Sequence, residues 1–292
     1  MLSSRPLVSI VIPVFNGVDF LAQAVESALA QTWSATEILI VDDGSNDDGA
    51  TRAVMERFGS RVRCFHKPNG GVGSALNLGL QHMQGEYFSW LSHDDLFEPH
   101  KIERQVEALL QFGRPAISFS DWRRFDEQGS DLKLFSVRGE DFVRYPLWSV
   151  LEGRINGCTL LVPRACFDTC GRFHENLPTT QDYELWFRFA LRFPFLHVPE
   201  PLVRQRTHRG QGSREKRHLE EASLLWMEML DRIPADTMRA YCGDERAFIE
   251  RTLRFLRGTS YKGAIAGVEQ LLRDIEVRRG RASDVMIGRS GT

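Results

Sequence analysis

Cysteine is scarce: five in 292 residues, an odd number with no CxxC spacing, so neither a disulfide framework nor a zinc site is indicated. Cys64, Cys158, Cys166, Cys170 and Cys242 read as reduced thiols of a cytosolic chain. An excess of positive charge is missing too. Lys plus Arg total 37 against 39 for Asp plus Glu, so nothing is available to neutralise a polyphosphate backbone, and nucleic acid is excluded as the main partner. No apolar run approaches the roughly 20 residues that a membrane-spanning helix needs. The apolar start, residues 7–15, is short, β-branched and broken by Pro13, which reads as a strand and not as a signal peptide. Internal repeats and low-complexity tracts are absent. With 42% hydrophobic residues the chain can bury a sizeable core.

What is present alternates two periods over the first 120 residues. Val8-Ser9-Ile10-Val11-Ile12 is nearly continuous in apolar character, as for a strand buried on both faces of a parallel sheet. Phe20, Leu21, Ala24, Val25, Ala28 and Leu29 then recur at helical spacing. Further strands are expected at 37–41, 62–65, 87–91 and 116–119, with helices at 48–58, after Gly71, and from Pro99 to Phe112. This βαβα order predicts an α/β fold with a doubly wound, mostly parallel sheet and helices on both faces. Residues 126–157 read as loops and short elements over the carboxyl edge. A strand at 159–162, a helix at 183–191 and two short strands at 195–198 and 202–206 follow. Three amphipathic helices are expected beyond Ser213. The organisation is then 1–213 as the binding and catalytic domain, 214–280 as a helical C-terminal extension and 281–292 as a frayed tail.

Ligands of open α/β sheets bind outside the carboxyl ends of the strands. Asp42-Asp43 and Asp94-Asp95 fall at two such ends, and Asp182 with Glu184 opens a later helix. Each alone suits a turn or an N-cap. Two acidic pairs converging on one edge repel unless a cation or sugar hydroxyls engage them, which favours a divalent metal, Mg²⁺ or Mn²⁺. Gly71-Val72-Gly73 lacks a third glycine and follows the third strand, and the first turn has no glycine fingerprint. A P-loop lysine motif is also missing, so dinucleotide and P-loop chemistry are set aside.

Val8 through Ile12 with Pro13-Val14-Phe15-Asn16-Gly17, then Val41-Asp42-Asp43-Gly44-Ser45, Asn69-Gly70-Gly71, Gly85-Glu86-Tyr87, Leu91-Ser92-His93-Asp94-Asp95 and Pro99 resemble a family-2 glycosyltransferase. The ordered match extends through Gly171-Arg172-Phe173 and Gln181-Asp182-Tyr183-Glu184-Leu185-Trp186, covering about residues 6–213. The resemblance implies a GT-A fold, a nucleotide-diphospho-sugar donor, an inverting reaction and a saccharide or lipid-linked acceptor, in cell-surface polysaccharide or glycolipid synthesis. It also implies roles. Pro13, Phe15 and Asn16 line the nucleotide pocket; Asp42 meets the base edge, while Asp43 shapes the Gly44-Ser45 turn. Asn69 and Gly71 lie near the diphosphate. Asp94 matches the metal-binding member of the family's DxD motif, His208 the late histidine that joins metal or diphosphate, and Asp182 the catalytic base.

Three positions depart from the family pattern. Ser92 replaces the first DxD aspartate, keeping a ribose hydrogen bond without charge, and His93 is placed to compensate. Leu76 removes a cation expected near the diphosphate. Gln181 replaces the glutamate before the base. These departures keep a non-catalytic nucleotide-sugar-binding subunit open as the alternative, whereas a sugar nucleotidyltransferase would need a basic glycine-rich loop after the first strand. Trp90 and Trp186 are expected in the core, and Trp148 is a candidate for either core or acceptor contact. Arg204, Arg206, His208, Arg209 and Arg214 form either a solvated face or a diphosphate contact. The arginines of the extension (Arg251, Arg254, Arg257, Arg273, Arg278, Arg279) raise a peripheral contact with anionic lipid at the inner face of the membrane. Its apolar stripe is either a homodimer face or a dock on the sheet.

Overall fold

A computed structural model describes residues 5–208 and 216–289. The chain forms two compact units, 1–211 and 212–292. The expected boundary at Ser213 lies outside the described residues, as do Arg209 and Arg214.

The first unit is built on strands β1 (Val8–Val14), β2 (Thr36–Asp42), β3 (Arg63–His66) and β4 (Tyr87–Trp90). These are mutually parallel in the order β3-β2-β1-β4, with a short antiparallel strand beyond β4. Every residue of β1 is buried. Its alternate side chains serve opposite faces: Ile10 and Ile12 pack with Leu21, Ala24 and Val25 of helix α1 (Leu21–Leu29), while Val11 meets the other face. Helices α2 (Ala50–Glu56) and α3 (Val72–His82) follow β2 and β3. Gly79 is what lets α3 close on β1, because a Cβ there would lie 2.3 Å from Val11 Cγ1. The register pairs Val14 with Asp42 and Val11 with Trp90. Parallel pairing therefore brings the ends of β1, β2 and β4, and the acidic residues following them, to one edge.

The remaining strands depart from the expectation in an informative way. The strand expected at 116–119 is longer, β6 (Ile117–Phe125), and joins a separate four-stranded sheet, β5-β9-β6-β7. Its partners are β5 (Leu96–Phe97), β7 (Asp131–Phe135) and β9 (Phe195–Arg206), with helix α4 (Lys101–Phe112) between β5 and β6. The two short strands expected at 195–198 and 202–206 are the single strand β9. Pro199 and Pro201 lack N–H donors and interrupt the pattern, but the ladder shifts register between Ser120 and Trp122 and accommodates them as an irregularity. The strand expected at 159–162 is a tight 3-10 turn, Gly157–Thr159, before the two-residue β8 (Val162–Pro163). The 126–157 stretch holds β7 and helices α5 (Glu140–Arg144) and α6 (Pro146–Leu151). Trp148 on α6 is fully buried, which removes it from acceptor contact. Helices α7 (Arg164–Cys170) and α8 (Gln181–Ala190) complete the unit, and Trp186 is buried as expected.

Among its described residues the second unit has four helices, where three were expected: α9 (Lys216–Arg232), α10 (Ala235–Cys242), α11 (Glu245–Leu256) and α12 (Lys262–Arg289). The extra one, α10, buries only Met238 and so carries little periodic signal. Asp244 caps α11 by accepting from Ala247 N at 2.7 Å. Gly267 faces α9, where a Cβ would sit 2.5 Å from Met227 Sδ. Helix α12 continues through 281–289, expected as a frayed tail; that stretch has no proline and holds Ala282, Val285, Met286 and Ile287. Residues 290–292 lie outside the described residues. Several arginines read as lipid contacts are engaged within the unit: Arg257 pairs with Glu269, Arg278 with Glu245, and Arg273 bonds Gln270.

Candidate active site

The two aspartates ending β2 differ in what they hold. Asp42 Oδ1 accepts from Ser45 N at 2.9 Å, closing the Gly44-Ser45 turn, and Oδ2 is 3.1 Å from His66 Nδ1. Burial pushes its carboxyl up, but the Ser45 and His66 hydrogen bonds outweigh that and hold it below the usual range. Asp43 accepts from Lys67 Nζ at 2.6 Å and from the Gly70 and Gly71 amides at 3.1 and 2.7 Å. The turn-forming role expected of Asp43 thus belongs to Asp42. Asp43 anchors the 69–71 loop, and it is Asp43 that lines the cleft. That cleft has a volume of about 200 Å³ and is walled by Pro13, Val14, Phe15, Asp43, Val72, Ser92, His93 and Asp94. Asn16, at φ 50°, spends its side-chain amide on Asn46, donating at 2.8 Å and accepting at 2.9 Å. It shapes the turn behind the exposed Phe15. Asn69 is exposed on the loop, and Gly71 occupies φ 85°, a conformation suited to glycine.

The turn after β4 gathers Ser92, His93, Asp94 and Asp95. Asp94 Oδ2 lies 2.9 Å from His208 Nε2, with both side chains mostly buried. His93 packs on Gly17, where a Cβ would come within 2.7 Å of its ring. Burial pulls the His93 imidazole below its ordinary pKa, Asp94 opposing and His208 adding to the shift. The Ser92 hydroxyl is 3.5 Å from Cys158 Sγ, a neutral thiol whose pKa burial pushes well up. Asp95 turns inward and accepts from Arg206 N at 2.9 Å. Burial and the neighbouring Asp94 charge push its carboxyl well up. Mutual repulsion across the edge is therefore met largely by protein donors; Asp42 and Asp94 each have a histidine beside them, and of the two it is Asp94 that lines the cleft.

Among the described residues no cluster of three His, Cys, Asp or Glu side chains could hold a metal. The pair Asp94 and His208 nonetheless fits a divalent ion that takes its remaining ligands from phosphate and water. Their donor atoms, 2.9 Å apart, bring a carboxylate oxygen and an imidazole nitrogen close enough for one ion to take both. The oxygen and imidazole donor set suits Mn²⁺ as well as Mg²⁺.

Asp182 comes to the same edge from α8. The helix begins after Thr180, two residues earlier than expected, so Asp182 occupies its first turn. Its Oδ1 accepts from Tyr183 N at 2.9 Å, and its Oδ2 lies 3.5 Å from where a Gly157 Cβ would be. Gly157 in turn rests on the Trp90 ring at the end of β4, and its neighbour Cys158 touches Ser92. Gln181 packs on Gly73 at the start of α3, and Glu184 is paired with Arg188 at 2.7 Å. The half-buried Trp90 thus sits between core and site. Leu76 points into the core, fully buried, so no cation is contributed from that position.

The sequence model of Glycosyl transferase family 2 matches residues 9–152. An uncharacterized glycosyltransferase of Rickettsia typhi is 38% identical over 264 residues, 88% of this chain and 81% of its own length. The chain belongs to glycosyl transferase family 2. An uncharacterized glycosyltransferase of Rickettsia felis is 43% identical over 93% of this chain but only 47% of its own length, so the chain spans about half of that relative. Chondroitin synthase of Escherichia coli is 29% identical over 66% of this chain and 28% of its own length. Among solved structures, S. aureus TarS 1-349 in complex with UDP-GlcNAc matches with a TM-score of 0.64 at 15% identity, covering 94% of this chain and 92% of that one. That likeness shows the fold, which is the GT-A type α/β arrangement expected.

Arg206, Phe20, His66 and Lys67 were not singled out as site supports in the sequence, except that Arg206 belonged to the basic run. A signal was available for Arg206 in its place two residues before His208, at the end of a strand.

Proposed function

We propose that this family-2 enzyme moves a sugar, with inversion, from a nucleotide-diphospho-sugar to an acceptor hydroxyl. The observation carrying the reading is the cleft-lining Asp94, paired with His208, and Asp182 approaching the same sheet edge. A divalent ion held by Asp94 and His208, Mn²⁺ or Mg²⁺, would supply positive charge to the departing diphosphate. Asp182 accepts the proton of the acceptor hydroxyl as that oxygen bonds to the anomeric carbon, while the bond from that carbon to the diphosphate oxygen breaks and its electron pair leaves with the nucleotide. Pro13, Phe15 and Val72 wall the nucleotide side, and Asp43 holds the 69–71 loop in place.

The UDP-GlcNAc complex of TarS makes a uridine-based donor the first to test, and the chondroitin synthase relative favours a saccharide acceptor destined for a polysaccharide. A lipid-linked acceptor is the other form. No helix among the described residues is long and apolar enough to cross a membrane. The scarce, irregularly spaced cysteines suit a cytoplasmic location. The test is a thermal-shift screen of nucleoside diphosphates with and without Mn²⁺, followed by transfer assays on Asp182→Asn. Ligand-dependent stabilisation and a loss of transfer of about 10²- to 10⁴-fold with donor binding kept are expected. Equal activity of Asp182→Asn and wild type removes the base assignment. Donor binding without turnover in the wild type favours the non-catalytic subunit that Ser92 and Gln181 suggest.

A further inference from the structure

We infer that Arg206 and Phe20 form a clamp that holds Asp94 and His208 at ligand spacing, a positioning role that rests on the metal-binding reading of that pair. One guanidinium reaches Asp94 directly and His208 through the Phe20 ring. Arg206 Nε donates to the Asp94 carbonyl at 2.9 Å, and Nη2 donates to Gln23 Oε1 on α1 at 2.8 Å. Its backbone N donates to Asp95 Oδ1 at 2.9 Å, fastening the end of β9 to the β4 turn. The guanidinium also lies over two rings, 4.4 Å from the Phe20 centroid and 4.5 Å from the Phe125 centroid. Phe20 then meets the His208 ring at 5.3 Å between centroids. Asp94 is thus held through its carbonyl, and His208 through the aromatic ring that the same cation covers.

The chemistry requires arginine. A planar fork can donate along two edges while stacking through its faces, whereas an ammonium is a point charge with no face. Only 3% of Arg206 is exposed, so the stack excludes water and the ring contacts count for more than they would at the surface. Arg206 is the last residue of β9 and His208 stands two residues beyond it, so the end of β9 delivers both to the β4 turn. Partners behind ligating side chains commonly carry about 10- to 100-fold in metal affinity, which sets the expected effect.

The experiment measures Mn²⁺ binding by electron paramagnetic resonance on the full chain with UDP present, for wild type, Phe20→Leu, Arg206→Lys and Asp94→Asn. Phe20→Leu and Arg206→Lys should weaken Mn²⁺ binding about 10- to 100-fold while leaving metal-free UDP affinity unchanged. Transfer activity of both should recover at high Mn²⁺, which a merely structural lesion would not allow. Phe20 is only half-buried, so Phe20→Leu carries the test if Arg206→Lys does not fold. Mn²⁺ binding equal to wild type in Phe20→Leu and Arg206→Lys, with loss in Asp94→Asn, overturns the clamp and leaves the metal site standing. Activity that stays low at saturating Mn²⁺ also overturns it. Wild-type protein that binds no Mn²⁺ overturns both.

Discussion

Lys101 is fully buried at the start of α4, and the Lys101→Met variant should lose a measurable pH dependence of stability. Its ammonium donates to Gln105 Oε1 at 2.7 Å, to Ser89 Oγ at 3.0 Å and to the Leu160 carbonyl at 3.4 Å, and it lies 4.3 Å from the Phe97 ring centroid. These partners are neutral. Burial therefore pulls its pKa from 10.5 to about 7, with Cys158 acting slightly the other way. The folded state releases the proton near pH 7 and the unfolded chain near 10.5, so between them the unfolded chain binds more protons and stability rises with pH. Below pH 7 both states are protonated and the full cost of burying the charge remains. At about 1.4 kcal/mol per pH unit, and with Lys101 half-titrated at the start, the gain from pH 7 to pH 9 is about 2 kcal/mol. Urea unfolding of wild type and Lys101→Met at several pH values isolates it, because groups common to both chains cancel in the difference. The methionine also leaves Gln105 and Ser89 short of a partner, so the slope is the diagnostic and not the absolute stability. Parallel pH profiles for the two proteins would refute the reasoning.

Gly79→Ala adds a methyl that ordinarily favours a helix interior by about 1 kcal/mol. Here it would fall 2.3 Å from Val11 Cγ1, and overpacking of about 1–3 kcal/mol should lower the melting temperature; a rise would contradict the packing of α3 on β1. Trp148→Ala should cost about 3–5 kcal/mol as a core truncation, read by chemical denaturation. A stable variant with only a raised KM for acceptor would return Trp148 to the cleft.

Much of the fold was legible because burial imposes period. The continuous apolar run of β1 and the 3.6-residue spacing in α1 each follow from one element covering another, and such patterns survive in sequence. Where the reading missed, a second force had overridden the period. Pro199 and Pro201 cut β9 in two because a missing N–H looks the same whether a strand ends or merely bulges. Helix α10 escaped because one buried methionine sets no period. Trp148 looked available because α6 is short and lies in a stretch rich in charge, yet Leu147, Trp148, Val150 and Leu151 are all buried.

The site was legible as a set of positions but not as a set of partners. Asp42 and Asp43 are identical residues side by side, one ending β2 and the next just beyond it, and they find different partners. One finds Ser45 and His66, the other Lys67 and two glycine amides from a loop 27 and 28 residues on. Asp94 and Asp95 divide in the same way: one meets His208, the other is drawn inward to the Arg206 amide, a separation of 111 residues. Spacing can show that acids gather at an edge. Which acid stays available to a ligand depends on donors supplied from distant segments, because a buried carboxylate must be satisfied by whatever the fold brings within reach. A carboxylate beside a histidine is an arrangement in which the partner can itself become a metal ligand. Asp42–His66 and Asp121–His197 share it, but Asp42 also closes the Ser45 turn and Asp121 also holds Ser136 and the Val137 amide. Asp94 instead lines the cleft, so the Asp94–His208 pair is where an incoming divalent ion can replace a hydrogen bond without leaving either group stranded.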